Sequence, residues 1–227
     1  SAPASGRKRG GGGGDGDVCD SAEEAVLLAR VVPDPGDGEE CSVCLEGFDA
    51  SAEDTAAVRL PRCAPHFFHR ECITQALRAS GRCPLCTIFY VVVEGDQPRD
   101  GTMNTRVDPG SLPGNPGVGT IVIQYSFPAG VQGPSHPHPG SAYPGTQRVA
   151  FLPDSPEGRE VLGLLRRCWD RRMTFTVGRS ITTGREGVIW NGVHHKTQPG
   201  GGPTAYGYPD PQYLGRVREE LRSKGIF

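Results

Sequence analysis

The chain has 227 residues, a formal charge of −2, and 33 glycines with 21 prolines. That length fits two modest domains, and the near-neutral charge exerts no whole-protein pull toward nucleic acid or an anionic membrane. No apolar run approaches the ~20 residues of a membrane helix, no secretory signal is visible, and cysteine use points to a reducing compartment, cytosol or nucleus.

Residues 1–38 open with SAPASGRKRGGGGGDGDVCD, which has no apolar periodicity and predicts a disordered Gly-rich tail. Its Arg7, Lys8 and Arg9 read as a solvated basic cluster rather than a localisation signal. Ser21 and Glu24 form a capping-box pair ahead of Ala25, Val26, Leu27 and Leu28, predicting a short helix over 21–32 that Pro33, Pro35 and Gly36 end. Such a segment is too short to be a domain and packs on a neighbour or binds a partner.

Residues 39–90 hold Cys41, Cys44, Cys63, His66, His69, Cys72, Cys83 and Cys86, that is Cys-x2-Cys, eighteen residues, Cys-x2-His-x2-His-x2-Cys, ten residues, Cys-x2-Cys. Two-residue gaps let neighbouring ligands grip one ion, and eight ligands fill two closed tetrahedral zinc sites with no position open to substrate. A disulfide framework fits poorly because histidines share the spacing, and a nucleic-acid-binding finger fits poorly because no basic cluster accompanies the ligands. The ligand order resembles a RING domain. That resemblance implies an interleaved pairing, Cys41, Cys44, His69 and Cys72 on one Zn2+ and Cys63, His66, Cys83 and Cys86 on the other. It also implies a shallow apolar groove, at Val43, Ile73, Leu77 and Pro84, that docks a ubiquitin-conjugating enzyme charged with ubiquitin, although Ile73 and Leu77 read equally as core residues of a small domain. Many RING ligases carry a basic residue after the last ligand; this chain has Thr87.

After Cys86 the predicted strands are Ile88–Val93, Thr120–Phe127, Arg148–Leu152, Thr174–Val177 and Val188–Asn191. One helix starts with Ser155 as N-cap and Pro156 at its first position, with Val161, Leu162, Leu165 and Trp169 on one face. Another follows Asp210-Pro211, with Leu214, Val217 and Leu221 on one face and Gly225 as terminator. Strands and helices joined by long Gly/Pro connections predict an α+β domain over 91–227. Its polar candidates are His194, His195, Lys196, Tyr206, Glu220 and the turn GRSITTG (178–184), and pattern alone assigns them no chemistry.

The segments GDQPRDGTM (95–103), SLPG (111–114), GTIVIQYSFPAGVQG (119–133), YPGTQRVAFLPDSPEGREVL (143–162), FTVGRSITTG (175–184), VIWNGVHHKT (188–197) and GYPDPQYLGRVREELRSKGI (207–226) resemble the Deltex C-terminal domain. The short connection to the RING and the YPGTQR and GGP segments look most like the Deltex-3 and Deltex-3-like branch. The resemblance implies a ubiquitin ligase whose C-terminal domain binds ADP-ribose and NAD and brings ADP-ribosylated proteins or nucleic acids to the RING-bound thioester. ADP-ribosyltransferase partners, a RING dimer and a Notch signalling context are also implied, although no Notch-binding WWE segment is seen in these residues. Carried over residue by residue, Glu220 is the base, His194 positions or relays the proton, and Tyr206 stacks on the nucleotide. Trp190, Arg179, Ser180, Thr182 and Thr183 line the pocket. Two other chemistries use the same residues: NAD-dependent ADP-ribosylation of the ubiquitin C-terminus, and non-catalytic reading of ADP-ribose. This chain departs from the family at His138, where HPHPG replaces HPNPG, and at Ile181, where some members have serine.

Overall fold

A computed structural model describes residues 18–33, 35, 36, 38–63, 65–179, 184 and 186–227. The chain divides into two units, one ending at Val93 and one spanning Glu94–Phe227.

In the first unit Ser21 caps α1 (Ala22–Leu27), its hydroxyl accepting the Glu24 N–H at 3.1 Å, while the Glu24 carboxylate reaches back to the Asp20 N–H at 2.9 Å. The helix is shorter than the expected 21–32. Its last predicted residues instead form β1 (Arg30–Val32), because β2 (Ala57–Arg59) offers them an antiparallel ladder, with β3 (Phe68–His69) on the far side of β2. The segment before the RING ligands is therefore part of the unit rather than a tail from residue 18 onward. Cys19, Ala22, Ala25 and Val26 share a core with Leu60, Phe68 and α2 (Arg70–Ser80). α2 ends at Gly81 in the left-handed region, φ +69°, where a Cβ would come within 2.5 Å of Val93. The strand expected at Ile88–Val93 does not form. The Gly81 carbonyl accepts the N–H groups of both Tyr90 and Val91, which wraps that segment around the helix end and leaves only isolated bridges at Phe89 and Val91.

The second unit is built on an antiparallel sheet ordered β4 (Thr102–Asp108), β5 (Thr120–Phe127), β8 (Thr146–Pro153). A small ribbon joins β6 (Gly130–Val131) to β7 (Ala142–Tyr143), and β9 (Phe175–Arg179) pairs with β10 (Glu186–Trp190). Sequence patterning missed β4 because Thr102, Asn104 and Arg106 lie exposed on a sheet edge, so its alternation carries little hydrophobic contrast. α3 (Pro156–Asp170) begins as expected: the Ser155 hydroxyl accepts the Gly158 N–H at 3.1 Å with Pro156 in the first turn. Gly158 is required there, since a Cβ would lie 1.9 Å from the Pro153 carbonyl oxygen. α3 buries Val161, Leu164, Leu165 and Cys168, with Leu162 and Trp169 only half-buried. α4 (Tyr213–Ser223) starts after Gln212 rather than at Asp210, whose carboxylate is spent on Lys196 and Arg216; Val217 and Leu221 are buried and Gly225 ends the helix at φ +75°.

Ser155→Ala should cost the second unit about 1 kcal/mol, the usual worth of an N-cap. A matching fall in urea midpoint with unchanged slope, followed by the emission of Trp169 and Trp190, checks it.

Two zinc centres and a histidine–glutamate site

Each of the two ligand sets comes together as the RING pairing implies, Cys41, Cys44, His69 and Cys72 in one cluster and Cys63, His66, Cys83 and Cys86 in the other, with the ligand atoms of each within 4.8 Å of one another. Ligands at about 2.0–2.3 Å from a shared ion have that spread, so the residues fit two zinc ions. The donor chemistry agrees. Burial, and then neighbouring Cys41, push the Cys72 thiol up to about 12, and burial raises Cys63 as well; a divalent cation is what lets such crowded sulfurs exist as thiolates. His69 Nε2 donates to the Gly47 carbonyl at 3.2 Å, which leaves Nδ1, 3.2 Å from Cys44 Sγ, as the metal-facing nitrogen. The Tyr90 hydroxyl donates to Cys63 Sγ at 3.3 Å.

Both Cys-x2-Cys segments close alike. The residue after the second cysteine, Leu45 or Thr87, sits at φ +63° or +60° and donates its N–H back to Cys41 or Cys83. Holding non-glycine residues in that region costs about 1–2 kcal/mol each, which metal ligation offsets. The turns push apolar side chains outward: Val43 is 45% exposed, Leu45 71% and Leu85 48%, with Pro84 exposed beside them. Ile73 and Leu77, predicted for the same groove, are 0% and 1% exposed; both face inward from α2 onto Phe68 and Leu60, and serve the core. Leu45 went unremarked in the sequence, though its position after a ligand pair was the available signal.

In the second unit three consecutive residues are each fixed by a different element. His194 meets α4: its Nδ1 lies 2.6 Å from Glu220 Oε1, and its backbone N–H donates to Oε2 at 2.8 Å. Both oxygens of Glu220 are thus engaged by one residue. With Nδ1–H pointed at the carboxylate, imidazole Nε2 is the nitrogen left free, on a side chain 71% exposed, while Glu220 is 23% exposed. The Tyr213 hydroxyl donates to the His194 carbonyl at 3.1 Å. His195 turns inward, Nδ1–H donating to the Val193 carbonyl at 2.9 Å and Nε2 accepting from the Tyr125 hydroxyl at 3.0 Å; burial lowers it to about 4 and keeps it neutral. Lys196 Nζ donates to Asp210 Oδ2 at 2.6 Å, the two side chains 5% and 4% exposed, and Arg216 holds the same oxygen at 2.6 Å. The Arg216 hydrogen bond, with Lys196 behind it, draws Asp210 down to about 2.

The remaining predicted residues divide. Tyr206 is on the same loop, 62% exposed, at φ +56° at the end of a 3-10 turn over Pro203–Ala205. Trp190 stacks on His195 at 4.1 Å and on Phe175 at 4.4 Å. Two rings that close cannot share one face of an indole without overlapping, so Trp190 is sandwiched and has only an edge to offer, a correction to its expected place as an open pocket wall. Arg179 is exposed at the end of β9 with Nε donating to the Gly184 carbonyl at 2.8 Å. Ser180, Thr182 and Thr183, with Ile181, lie outside the described residues. His138, the departure from the family asparagine, faces Glu186 on β10 with Nδ1 2.5 Å from Oε1, while Gln132 holds the other oxygen.

A two-zinc RING followed by this α+β unit defines the class. The Ring finger domain family matches residues 39–87 and the Deltex C-terminal domain family matches residues 94–226. The chain is 53% identical over 188 residues to the Homo sapiens protein named "Probable E3 ubiquitin-protein ligase DTX3", covering 82% of this chain and 52% of that one. It is 42% identical over 205 residues to Mus musculus "E3 ubiquitin-protein ligase DTX4" and 39% over 215 residues to Homo sapiens "E3 ubiquitin-protein ligase DTX1", covering 33% and 34% of those proteins and 83% and 86% of this chain. The chain belongs to the Deltex family. It spans from a third to about half of the length of these relatives.

Two measurements follow from this geometry. Both tryptophans lie in the second unit. Stripping zinc with a chelator should therefore collapse the far-UV signal of the first unit while tryptophan emission stays native, and elemental analysis should find two zinc ions per chain. For His195 the folded value is depressed, so the unfolded chain binds the extra proton. Its contribution is present above pH 6.5 and is lost as pH falls toward 4, at most about 3 kcal/mol. Urea unfolding at pH 7 and 4.5 should show that loss, and His195→Gln should flatten the difference.

Proposed function

We propose that the first unit docks a ubiquitin-charged conjugating enzyme, and that the second binds ADP-ribose or NAD. Ubiquitin then passes to substrate lysines and to a ribose hydroxyl of ADP-ribose or of an ADP-ribosylated protein or nucleic acid, in cytosol or nucleus. The observation that carries the second half is the His194–Glu220 pair, an exposed imidazole nitrogen backed by a carboxylate that holds both the ring and the backbone of the same residue.

The zinc ions take no part in bond making, because all four positions of each are filled by protein ligands. The RING contributes positioning: Val43, Leu45, Pro84 and Leu85 offer an apolar surface to the conjugating enzyme, and a thioester held in one orientation reacts faster than a mobile one. Transfer to lysine needs nothing more. A ribose hydroxyl is a poorer nucleophile and needs a base. His194 Nε2 accepts its proton as the oxygen attacks the C-terminal carbonyl carbon of ubiquitin; the C–O bond forms, the C–S bond breaks, and the conjugating enzyme leaves as thiol. Glu220, the base that the family resemblance implies, has both oxygens engaged by His194. In this reading the histidine therefore takes the proton, Glu220 steadies the imidazolium through Nδ1–H, and the proton passes on to the departing thiolate. Tyr206 supplies an exposed ring on the same loop for the base of the nucleotide.

In a reaction of protein, zinc, activating and conjugating enzymes, ubiquitin, ATP and ADP-ribose, intact mass should show ubiquitin carrying the nucleotide. Glu220→Ala and His194→Ala should each lower that product by ~10²-fold or more while lysine-linked chains persist, and Cys41→Ser should remove both products. Equal loss of both in Glu220→Ala would refute the assigned role. A product formed only from NAD would favour ADP-ribosylation of the ubiquitin terminus instead.

A further inference from the structure

Of the 24 basic residues only three are lysine: Lys8, Lys196 and Lys224. Aminolysis of a ubiquitin thioester needs an amine in its free-base form. Guanidinium groups stay protonated and are no substitute, so the arginines are not acceptors. Lys8 lies outside the described residues. Lys196 is shielded: its side chain is 5% exposed, its Nζ donates to Asp210, and the rings of Tyr208 and Tyr213 lie 5.9 and 5.2 Å away. Releasing it would give up a buried charge-assisted hydrogen bond and leave Asp210 to Arg216 alone.

Lys224 differs in every respect. It is the C-cap of α4 and partly exposed, and among the described residues its ammonium has no ion-pair or hydrogen-bond partner. The side chain extends over Gly192, where a Cβ would lie 3.6 Å from Nζ and 3.7 Å from Cε, in ordinary contact with the amine. It stands one turn beyond Glu220 and reaches across to a residue two places before His194.

We infer that Lys224 is the acceptor for self-ubiquitination within the folded part of this chain, an inference that rests on the ligase activity proposed above. Its amine, having lost a proton to solvent, attacks the C-terminal carbonyl carbon of ubiquitin; the amide C–N bond forms, the thioester C–S bond breaks, and the conjugating enzyme departs as thiol. A ubiquitin joined there stands beside the His194–Glu220 pair, so the same reaction crowds the second unit's own site.

The test uses the full chain as Lys8→Arg, which removes the one lysine outside the described residues. Incubated with zinc, ubiquitin, its activating and conjugating enzymes and ATP, then digested with trypsin, it should carry the Gly-Gly remnant on Lys224. Lys8→Arg with Lys224→Arg should show self-modification at background, yet discharge the charged conjugating enzyme onto free lysine as fast as the single variant. A remnant on Lys196, modification persisting in the double variant, or an unmodified single variant that still discharges onto free lysine would each overturn the assignment. Failure of the natural chain to stimulate discharge at all would overturn the ligase reading, and this inference with it.

Discussion

An ammonium group and a carboxylate, each about 95% removed from solvent, tolerate burial only while they hold each other. Lys196 and Asp210 do so, and Arg216 closes the arrangement from α4. This contact ties the loop after β10 to the loop before α4, and the lysine cannot move without giving up its buried charge-assisted hydrogen bond to Asp210. His194 lies two residues away on the same backbone. Its exposed imidazole would otherwise wander; instead it is set on α4 because Lys196 anchors one side of it and the bidentate grip of Glu220 the other. The Lys196 carbonyl also accepts the Phe151 N–H from β8, so the loop is stitched to the sheet as well. The candidate site therefore borrows its rigidity from an ion pair that takes no part in its chemistry.

The first unit solves the same problem with metal. Its apolar core is small, and five of the eight ligands, Cys41, Cys63, Cys72, Cys83 and Cys86, belong to or pack against it. Each zinc joins residues far apart in sequence, which supplies cross-links a small core lacks. One result is that backbone turns can be strained outward: Leu45 and Thr87 accept positive φ, and the apolar residues of the same turns face water. An exposed apolar patch on a small unit is a liability in isolation and a docking surface when a partner covers it.

Much of this was legible in the residues, and for identifiable reasons. Ligand spacing is dictated by coordination geometry, so the two clusters follow from the string of cysteines and histidines once the RING pairing is supplied. The start of α3 was legible because a cap is a local feature, written in Ser155 and Pro156 alone. Interactions between distant residues were not. Asp210 looked like a helix cap, and nothing nearby in sequence says that Lys196 claims it; Ile73 and Leu77 fit a docking groove or the core of a small domain, and only the helix rotation turns them inward. Trp190 has the right character for a ligand wall, but its faces are filled by Phe175 from the neighbouring strand and His195 from the loop.

The division of His194, His195 and Lys196 among three tasks explains why the run looks like surface in sequence. A polar tripeptide on a loop is ordinarily solvated, yet here alternate burial sends one ring outward to Glu220 and the next inward to Tyr125 and Trp190. The inward histidine is held neutral with Nδ1 protonated, a state set by one donor and one acceptor that both come from fixed backbone or core groups. Its protonation would break the bond from Tyr125 and disturb the ring that Trp190 rests on. The setting of His194 is thus coupled to its buried neighbour, and acid would loosen the loop through His195 well before it reached the Lys196–Asp210 anchor, whose carboxylate stays charged down to about pH 2.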